Sequence, residues 1–443
     1  MHKKVTVIGG GVAGLSASVF LKEKGFEVEL IEASPKLGGR ASSYFDSEEN
    51  KYFDNGQHIF AGWYENTFEY LKIIGGYLNL NFQKSLTIKF INSKTEIFEF
   101  RASELPVPFN IISGFIKYKA LGFIDKISIL RLLQYINKSN RNYNKLLELN
   151  TDDLFKIIPQ SERCIKYFWE PLILAIFNSI PSKVSFEIFR KIIQMALSKK
   201  HYSSLVLSGK DLFSTLVEGA LKYFDKNGVK VKLSERCEHI QIDSESIIYI
   251  KTSSGRNIES DYFVLAVPFY YFSKIFTEKD FDFFFPKYVE LESSTVISVH
   301  IFFIDNLPGD IIPFNEAGML GVIDCTIQWI FKKAPHIISL TISAADYIEK
   351  LKDKTNQEIY ELCLSDLKKL FADIGNYEIK KYKVIKEKRA TFVSDIDSGN
   401  RRIEQISRIK NMYIVGDWVN TGLPSTIESA IKSSKTMSEM LES

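Results

Sequence analysis

Val5 to Ile8 is a short apolar run that feeds directly into Gly9-Gly10-Gly11-Val12-Ala13-Gly14, after which the apolar spacing becomes helical as far as Lys24. A strand, a glycine turn and a helix in this order form the opening half of a parallel βαβ unit built to hold a dinucleotide. Gly9 permits the tight turn, Gly11 lets backbone approach a pyrophosphate with Ala13 just behind it, and Gly14 lets the helix pack closely on the strand. The diphosphate then meets the free N–H groups and positive end of the helix. A second strand, Glu27 to Ile31, delivers Glu32, eighteen residues past Gly14, where a carboxylate can accept from both ribose hydroxyls and opposes a 2′-phosphate. Ala33 follows, and then Gly38-Gly39-Arg40, a second glycine pair that separates a flavin-binding chain from an ordinary nicotinamide dehydrogenase.

The far end carries the matching half of the signal. Met412 to Val415 is a short apolar strand ending on Gly416-Asp417, and after the loop Trp418 to Pro424 a helix is predicted to start at Ser425. Ser425-Thr426-Ile427-Glu428 has the spacing of a capping box. The N–H groups and positive dipole end of that helix, at Ser425, Thr426 and Ile427, suit the N1/O2 edge of a flavin, which turns negative on reduction. Asp417 would hold a ribityl hydroxyl. The two ends together predict FAD as the cofactor.

A chain of 443 residues is long for a single core, and 45% hydrophobic content is enough for two. The balance of 57 basic against 54 acidic residues, net +3, provides no field of the kind nucleic acid requires, so no nucleic-acid partner is expected. Cys164, Cys237, Cys325 and Cys363 are far apart, with no CxxC pair and no nearby histidine set, which predicts neither a metal site nor a disulfide framework and fits a reducing, cytoplasmic compartment. The chain enters its first strand almost at once, and no run reaches the roughly 18 uncharged apolar residues of a spanning helix, so neither a signal peptide nor a membrane span is expected.

Strand signals recur late in the chain. Val229 to Val231, His239 to Ile242 and Ile247 to Ile250 alternate as a small sheet, and Asp261 to Val267 is an apolar strand stopped by Pro268, as for a return to the main parallel sheet. The predicted fold class is therefore α/β: a discontinuous Rossmann-type FAD-binding domain of residues 1–75, 205–275 and 395–443, with a second α+β domain of 76–204 and 276–394. In the second domain Thr295 to Ile304, Cys325 to Phe331 and Ile337 to Ile342 read as strands of a mixed sheet roofing the flavin. There is no second Gly-x-Gly-x-x-Gly unit, so a separate electron donor is expected.

Leu105 to Ile136 has two readings. Pro106, Pro108, Phe109, Ile111, Ile112, Phe115 and Ile116 precede Lys117, Lys119 and Lys126, the pattern of an interfacial anchor that would place the protein peripherally on the inner face of the membrane. Ile129, Leu132, Leu133 and Ile136 then repeat at helical spacing as one apolar face, the pattern of a core helix.

The opening GGGVAG, Glu32, LGGR and the closing GDW resemble the family that joins amine oxidases, phytoene desaturases and Rab GDP-dissociation inhibitors. Several segments are more similar to its hydroxysqualene dehydroxylase branch: Asp54-Asn55-Gly56-Gln57-His58, Trp169-Glu170-Pro171-Leu172 with Asn178, Gln328-Trp329, Glu387 to Phe392, and Gly416-Asp417-Trp418 through Thr421 to Glu428. One departure is Cys237, where the family usually has Val before the strand that meets the adenine; that contact is made by backbone atoms.

The resemblance implies reductive removal of the allylic hydroxyl of a C30 isoprenoid alcohol by FADH2, giving squalene and water. Ionisation leaves a delocalised cation that a hydride can quench, and the hydroxyl leaves only if protonated, so a general acid is required. His58 is the candidate, oriented by Asp54 or Asn55, with packing alone as its bland alternative. Gln57 is expected beside the flavin ring, Arg389 and Glu387 as a structural pair beneath it, and Gln328 and Trp329 in the substrate lining. His300, on an apolar strand, reads as a core histidine. A desaturase running hydride the other way, an amine oxidase, and a non-catalytic lipid escort are the alternatives.

Overall fold

The computed structural model describes residues 3–138 and 148–442. Its organising layer is a five-stranded, wholly parallel sheet in the order Lys230–Lys232, Glu27–Ile31, Lys4–Ile8, Tyr262–Leu265, Met412–Ile414. Strands covered on both faces must be apolar along their length, and Val5, Val7, Val28, Leu30, Phe263, Val264 and Leu265 are all fully buried. The first strand turns at Gly9, φ +111°, into the helix Val12–Glu23. A Cβ on Gly14 would sit 1.8 Å from the Gly9 carbonyl oxygen, which is why only glycine lets helix and strand approach this closely. The C-terminal helix Ile427–Met440 packs across that first helix, and Ser434 Oγ donates to the Ala13 carbonyl at 2.7 Å.

Against this layer lies a seven-stranded mixed sheet in the order Ile379–Phe392, Ser293–Phe303, Ile337–Ile342, Trp329–Ala334, Met319–Ile323, Thr87–Asn92, Ile97–Arg101. All neighbours are antiparallel except Met319–Ile323 with Thr87–Asn92. Along its central strands the residues alternate between two faces. Ile297, Val299, Ile301, Ile330, Leu340 and Ile342 pack with helix Asn356–Leu370 in an aliphatic core of their own. Of the residues between them, Trp329, Phe331 and Thr341 line the cavity described below, whereas Ser298, His300 and Ser339 are buried. An antiparallel meander, Cys237–Asp243, Ser246–Thr252 and Asn257–Ile258, caps the parallel sheet on its other side.

Two sequence-based boundaries change. The strand expected over Cys325 to Phe331 starts at Trp329 and ends at Ala334, because Asp324 adopts φ +67° and the Asp366 carboxylate holds the N–H groups of Thr326 and Ile327 in a turn. The C-terminal helix is capped by Thr426, not Ser425: the Thr426 hydroxyl accepts from Ser429 N–H at 3.1 Å. Ser425 is drawn off to the Asp417 carboxylate. Glu428, expected to close a capping box, instead caps another helix, Glu65–Ile74, by accepting from the N–H and side chain of both Asn66 and Thr67 at 2.7–3.1 Å.

Helices Phe109–Lys117 and Phe123–Lys138 divide by face. Ile129, Leu132 and Ile136 are fully buried, as the core-helix periodicity requires, whereas Phe109, Ile116, Phe123 and Ile124 are 60%, 68%, 79% and 81% exposed. No helix among the described residues is long and apolar enough to cross a membrane.

Candidate active site

The fingerprint helix starts without a side-chain cap: Gly11 occupies the N-cap and the first turn carries no acidic residue, so its N–H groups are left for an anion. The second glycine pair lies directly against it. Gly38 N–H donates to the Gly10 carbonyl at 2.9 Å, and a Cβ on Gly39, φ +59°, would sit 3.0 Å from the Gly11 Cα. Two glycine turns thus stack into a cradle open only to a group as slim as a diphosphate. Glu32 stands at its rim, accepting from Gly10 N–H and, at 2.7 Å, from Ser34 N–H, which fixes the carboxylate without using all its lone pairs. Arg40 pairs with Asp417 and donates to the Ala390 carbonyl at 3.2 Å, so the N-terminal glycine loop, the C-terminal GDW loop and the mixed sheet are tied at one point. Burial opposes the Arg40 charge, but Asp417 outweighs it and holds the guanidinium pKa above its ordinary value.

The GDW loop depends on a residue that the motifs did not reveal. Arg402, 5% exposed, donates to the carbonyls of Trp418, Leu423, Asp417 and Val419 and to the Thr421 hydroxyl. Burial lowers its pKa to about 10, still cationic at neutral pH. The only sequence trace is the Arg401-Arg402 pair ahead of the loop.

A cavity of about 1040 Å³ joins these parts. Gly9, Gly11, Ala13, Glu32, Ala33, Gly39, Arg40, Gln57, His58, Cys237, Gly416, Asp417, Ser425, Thr426, Ile427 and Trp329 all line it. Two expected site residues do not. Gly14 is sealed beneath the turn, where its role is packing. Gln328 clamps the backbone of Ser343, donating to its carbonyl at 3.0 Å and accepting from its N–H at 2.8 Å, so it supports the roof from outside the lining. Cys237 sits where the meander meets the cradle, its thiol pushed up to about 12 by burial, with Tyr271 donating to its carbonyl at 3.4 Å.

Beyond the cradle the cavity turns apolar. Phe90, Phe100, Phe115, Phe168, Trp329 and Phe331 form its aromatic wall, and Leu133, Leu172, Ile193 and Leu197 continue it toward the helices that carry the exposed Phe109 and Phe123. These residues come from distant segments; of them, Trp329 was expected in the lining from the sequence, whereas Phe90, Phe100, Phe168 and Phe331 were not.

His58 lies where cradle and apolar wall meet. Its Nδ1 is 2.9 Å from the Gly56 carbonyl, which makes Nδ1–H the donor and leaves Nε2 as an acceptor in the neutral ring. Burial lowers its pKa, aided by Lys333, against the opposing pull of Asp54 and the Gly56 carbonyl. Neither Asp54 nor Asn55 orients the ring, contrary to expectation. The Asp54 carboxylate accepts from Ser43 Oγ at 2.8 Å and Leu212 N–H at 2.7 Å, and Asn55 donates to the Arg40 carbonyl at 2.6 Å. Gln57 is held by Lys333, whose ammonium also lies 3.5 Å from Asp54. The expected Arg389–Glu387 pair is likewise replaced: Arg389 stacks over the Tyr270 ring at 4.2 Å, and Glu387 faces the cavity. His300 is a core residue, with Nε2 3.1 Å from the Asp54 carbonyl and a pKa driven down to about 4 by burial.

The family model for flavin-containing amine oxidoreductases matches residues 12–440. The chain belongs to the flavin-containing amine oxidoreductase family. It is accordingly an FAD-dependent oxidoreductase. Among curated members of the family, the chain is 26% identical to the hydroxysqualene dehydroxylase of Zymomonas mobilis, covering 98% of both chains. It is also 26% identical to that of Sinorhizobium fredii, over 99% of this chain and 98% of the relative. It is 24% identical to the 15-cis-phytoene desaturase of Capsicum annuum, over 99% of this chain but 77% of the relative. Among solved structures, an oxidoreductase from Methanosarcina mazei superposes with a TM-score of 0.75 at 15% identity, over 98% of this chain and 100% of that one. A putrescine oxidase gives 0.69 at 13%, over 99% of both. These two share the fold.

Proposed function

We propose that the protein removes the allylic hydroxyl of hydroxysqualene reductively, yielding squalene and water. The observation that carries this reading is an end-to-end match to hydroxysqualene dehydroxylases in a chain whose cavity, about 1040 Å³, stands at the top of the roughly 300–1,000 Å³ range of small-ligand sites. Its glycine cradle suits a dinucleotide and its aromatic wall a long hydrocarbon. Bound reduced FAD supplies the hydride that replaces the hydroxyl, so the C–O bond breaks, a C–H bond forms, the flavin is oxidised and the oxygen leaves as water. Glu32, Arg40 with Asp417, and the two helix N-termini hold the cofactor. Trp329, Phe331 and Phe90 exclude water and present π-faces to developing allylic cation charge. His58, protonated from solvent at Nε2, donates that proton to the substrate hydroxyl, so that the oxygen leaves as water. Because burial lowers its pKa, turnover should rise as pH falls through the range below 6.5; a flat profile there would remove His58 from the proton path.

The domain division at 1–75, 205–275 and 395–443 against 76–204 and 276–394 belongs to this reading, supported by the parallel sheet's strands lying in the first set and the mixed sheet's in the second. So does peripheral membrane contact: Phe109, Ile116, Phe123 and Ile124 project beside the exposed Lys117 and Lys119, a surface that fits an anionic bilayer holding the lipid substrate. The electron donor is taken to be a separate protein or substrate. Desaturation of a hydrocarbon is the second reading, favoured by the similarity to phytoene desaturases. Anaerobic incubation of the dithionite-reduced protein with hydroxysqualene tests the choice: flavin reoxidation matched by squalene is expected, and an inert reduced flavin would overturn the proposal.

A further inference from the structure

Four carboxylates line the cavity, and three of them are engaged. Glu32 accepts from the N–H groups of Gly10 and Ser34, Asp417 takes Arg40 and the Ser425 hydroxyl, and Glu235 accepts from Ser254 Oγ at 2.6 Å. The fourth, Glu387, has no hydrogen bond and no ion pair among the described residues. Register turns its side chain inward: Glu387 stands opposite Val296, which lines the cavity, whereas the next pair along, Ile297 with Lys386, belongs to the outer face with its aliphatic core. Glu387 is half-buried, and its carboxylate oxygens remain open to a water-sized group, in contrast to the sealed hydroxyls of Ser298 and Ser339. Arg40 senses the Glu387 charge but is already paired with Asp417, so the three groups together carry one uncompensated negative charge. Ser298 is the diagonal neighbour of Glu387 across the two strands, roughly 7–8 Å away. A Cβ on Gly56 would lie 3.8 Å from Ser298 Oγ and 3.9 Å from His58 Cε1. Glu387 and His58 therefore flank one part of the cavity. A partly buried carboxylate without a partner is costly, and a lining meant only to hold hydrocarbon would carry an aliphatic residue there.

We propose that Glu387 is a cation site in the lipid cavity, the counter-charge for the allylic cation that forms when the substrate hydroxyl departs, and that it gives the cavity affinity for long-chain quaternary ammonium ions. The inference rests on the dehydroxylase reading and adds a catalytic residue to it. The C–O electron pair leaves with the oxygen, which takes the His58 proton and departs as water, and hydride from reduced FAD closes the empty allylic orbital. Glu387 forms no bond and gives up no proton. Because the alcohol is neutral, the carboxylate acts only on charge that ionisation creates, so it lowers the barrier without tightening ground-state binding. The aromatic faces attract the same cation weakly, and a full negative charge in a partly dry site attracts it more strongly.

The test is equilibrium binding of farnesyltrimethylammonium, and of its neutral isostere with carbon in place of nitrogen, to the oxidised holoprotein, read from the flavin absorbance in wild type, Glu387→Gln and Glu387→Asp. The quaternary nitrogen is charged at every pH and has no lone pair for a flavin to oxidise. Wild type should bind the cation at least about tenfold more tightly than the isostere, Glu387→Gln should bring the two within about threefold, and Glu387→Asp should keep the preference. Hydroxysqualene should bind wild type and Glu387→Gln within about threefold, while the anaerobic single-turnover rate of the reduced Glu387→Gln holoprotein falls at least about hundredfold. A wild type that does not distinguish cation from isostere overturns the proposal, as does a Glu387→Gln variant that keeps the full preference or turns over at the wild-type rate. A folded Glu387→Gln variant that no longer retains FAD also overturns it, by assigning the carboxylate to the cofactor. If Glu387→Gln does not fold, the wild-type comparison decides together with Glu387→Ser, in which the preference should likewise be lost. A cation preference that depends on Glu387, in a wild type whose reduced flavin leaves hydroxysqualene untouched, would uphold the site and remove the reaction.

Discussion

The cofactor cradle and the apolar cavity beyond it are built on opposite plans. The cradle is backbone: two glycine turns in contact, a helix start left uncapped, and carboxylates pinned by N–H groups, all from short contiguous motifs. The cavity is side chain: Phe90, Phe115, Phe168, Leu197 and Trp329 each come from a different element, and any one could be exchanged for a neighbour of similar volume. On the proposed reading, a diphosphate and an isoalloxazine require fixed hydrogen-bond positions, and a site for them tolerates almost no change. A long hydrocarbon requires only volume and dryness, and a site for it can be assembled from scattered apolar residues.

This contrast orders the expected effects of substitution. Gly14→Val should be the most severe, because a Cβ 1.8 Å from the Gly9 carbonyl cannot be accommodated; the variant is expected to lose bound flavin and cooperative melting, whereas Leu172→Met in the cavity should keep both. Next is Arg402→Met, which strips one cation from four loop carbonyls. Chemical denaturation should show a loss of about 3 kcal/mol or more, with flavin released first. A denaturation midpoint close to wild type would mean the GDW loop holds itself.

His300 allows a pH test between the two regions. Unfolded, it takes up a proton near 6.5; folded, it does so only near 4. The unfolded state therefore binds more protons across that window, and stability present above pH 6.5 is lost as pH falls toward 4, by up to about 3 kcal/mol. His300→Gln should flatten that part of the stability profile. The smallest change belongs to the surface: Phe123→Ser should alter stability by no more than about 0.5 kcal/mol, since Phe123 is 79% exposed, yet reduce sedimentation with anionic vesicles. Unchanged vesicle binding would remove the membrane surface from the account.

The strand–glycine turn–helix unit and the second glycine pair were legible in the sequence because they are written in adjacent residues, and the FAD cofactor followed from them. Ser425 and Thr426 are both competent caps, so the helix start was read one residue early; the choice is made by Asp417, which lies elsewhere in the chain and claims Ser425. Gln328 and Trp329 were read as one lining pair, but the strand begins between them, and Gln328 turns back to Ser343. The buried polar face of the mixed sheet left a trace in the alternation Ile297-Ser298-Val299-His300 and Ser339-Leu340-Thr341-Ile342. Alternating polar positions ordinarily indicate a solvated face, and only the tertiary structure shows this face to be buried. Of the aromatic wall only Trp329 was read from the sequence; its other members meet only on folding and left no local trace.

The most direct measurement reduces the holoprotein in D2O without oxygen, adds hydroxysqualene, and locates deuterium in the product. The account predicts squalene carrying one deuterium at the carbon that bore the hydroxyl, formed in step with flavin reoxidation. Squalene without deuterium at that carbon, or oxidised flavin becoming reduced by an isoprenoid hydrocarbon instead, would contradict it.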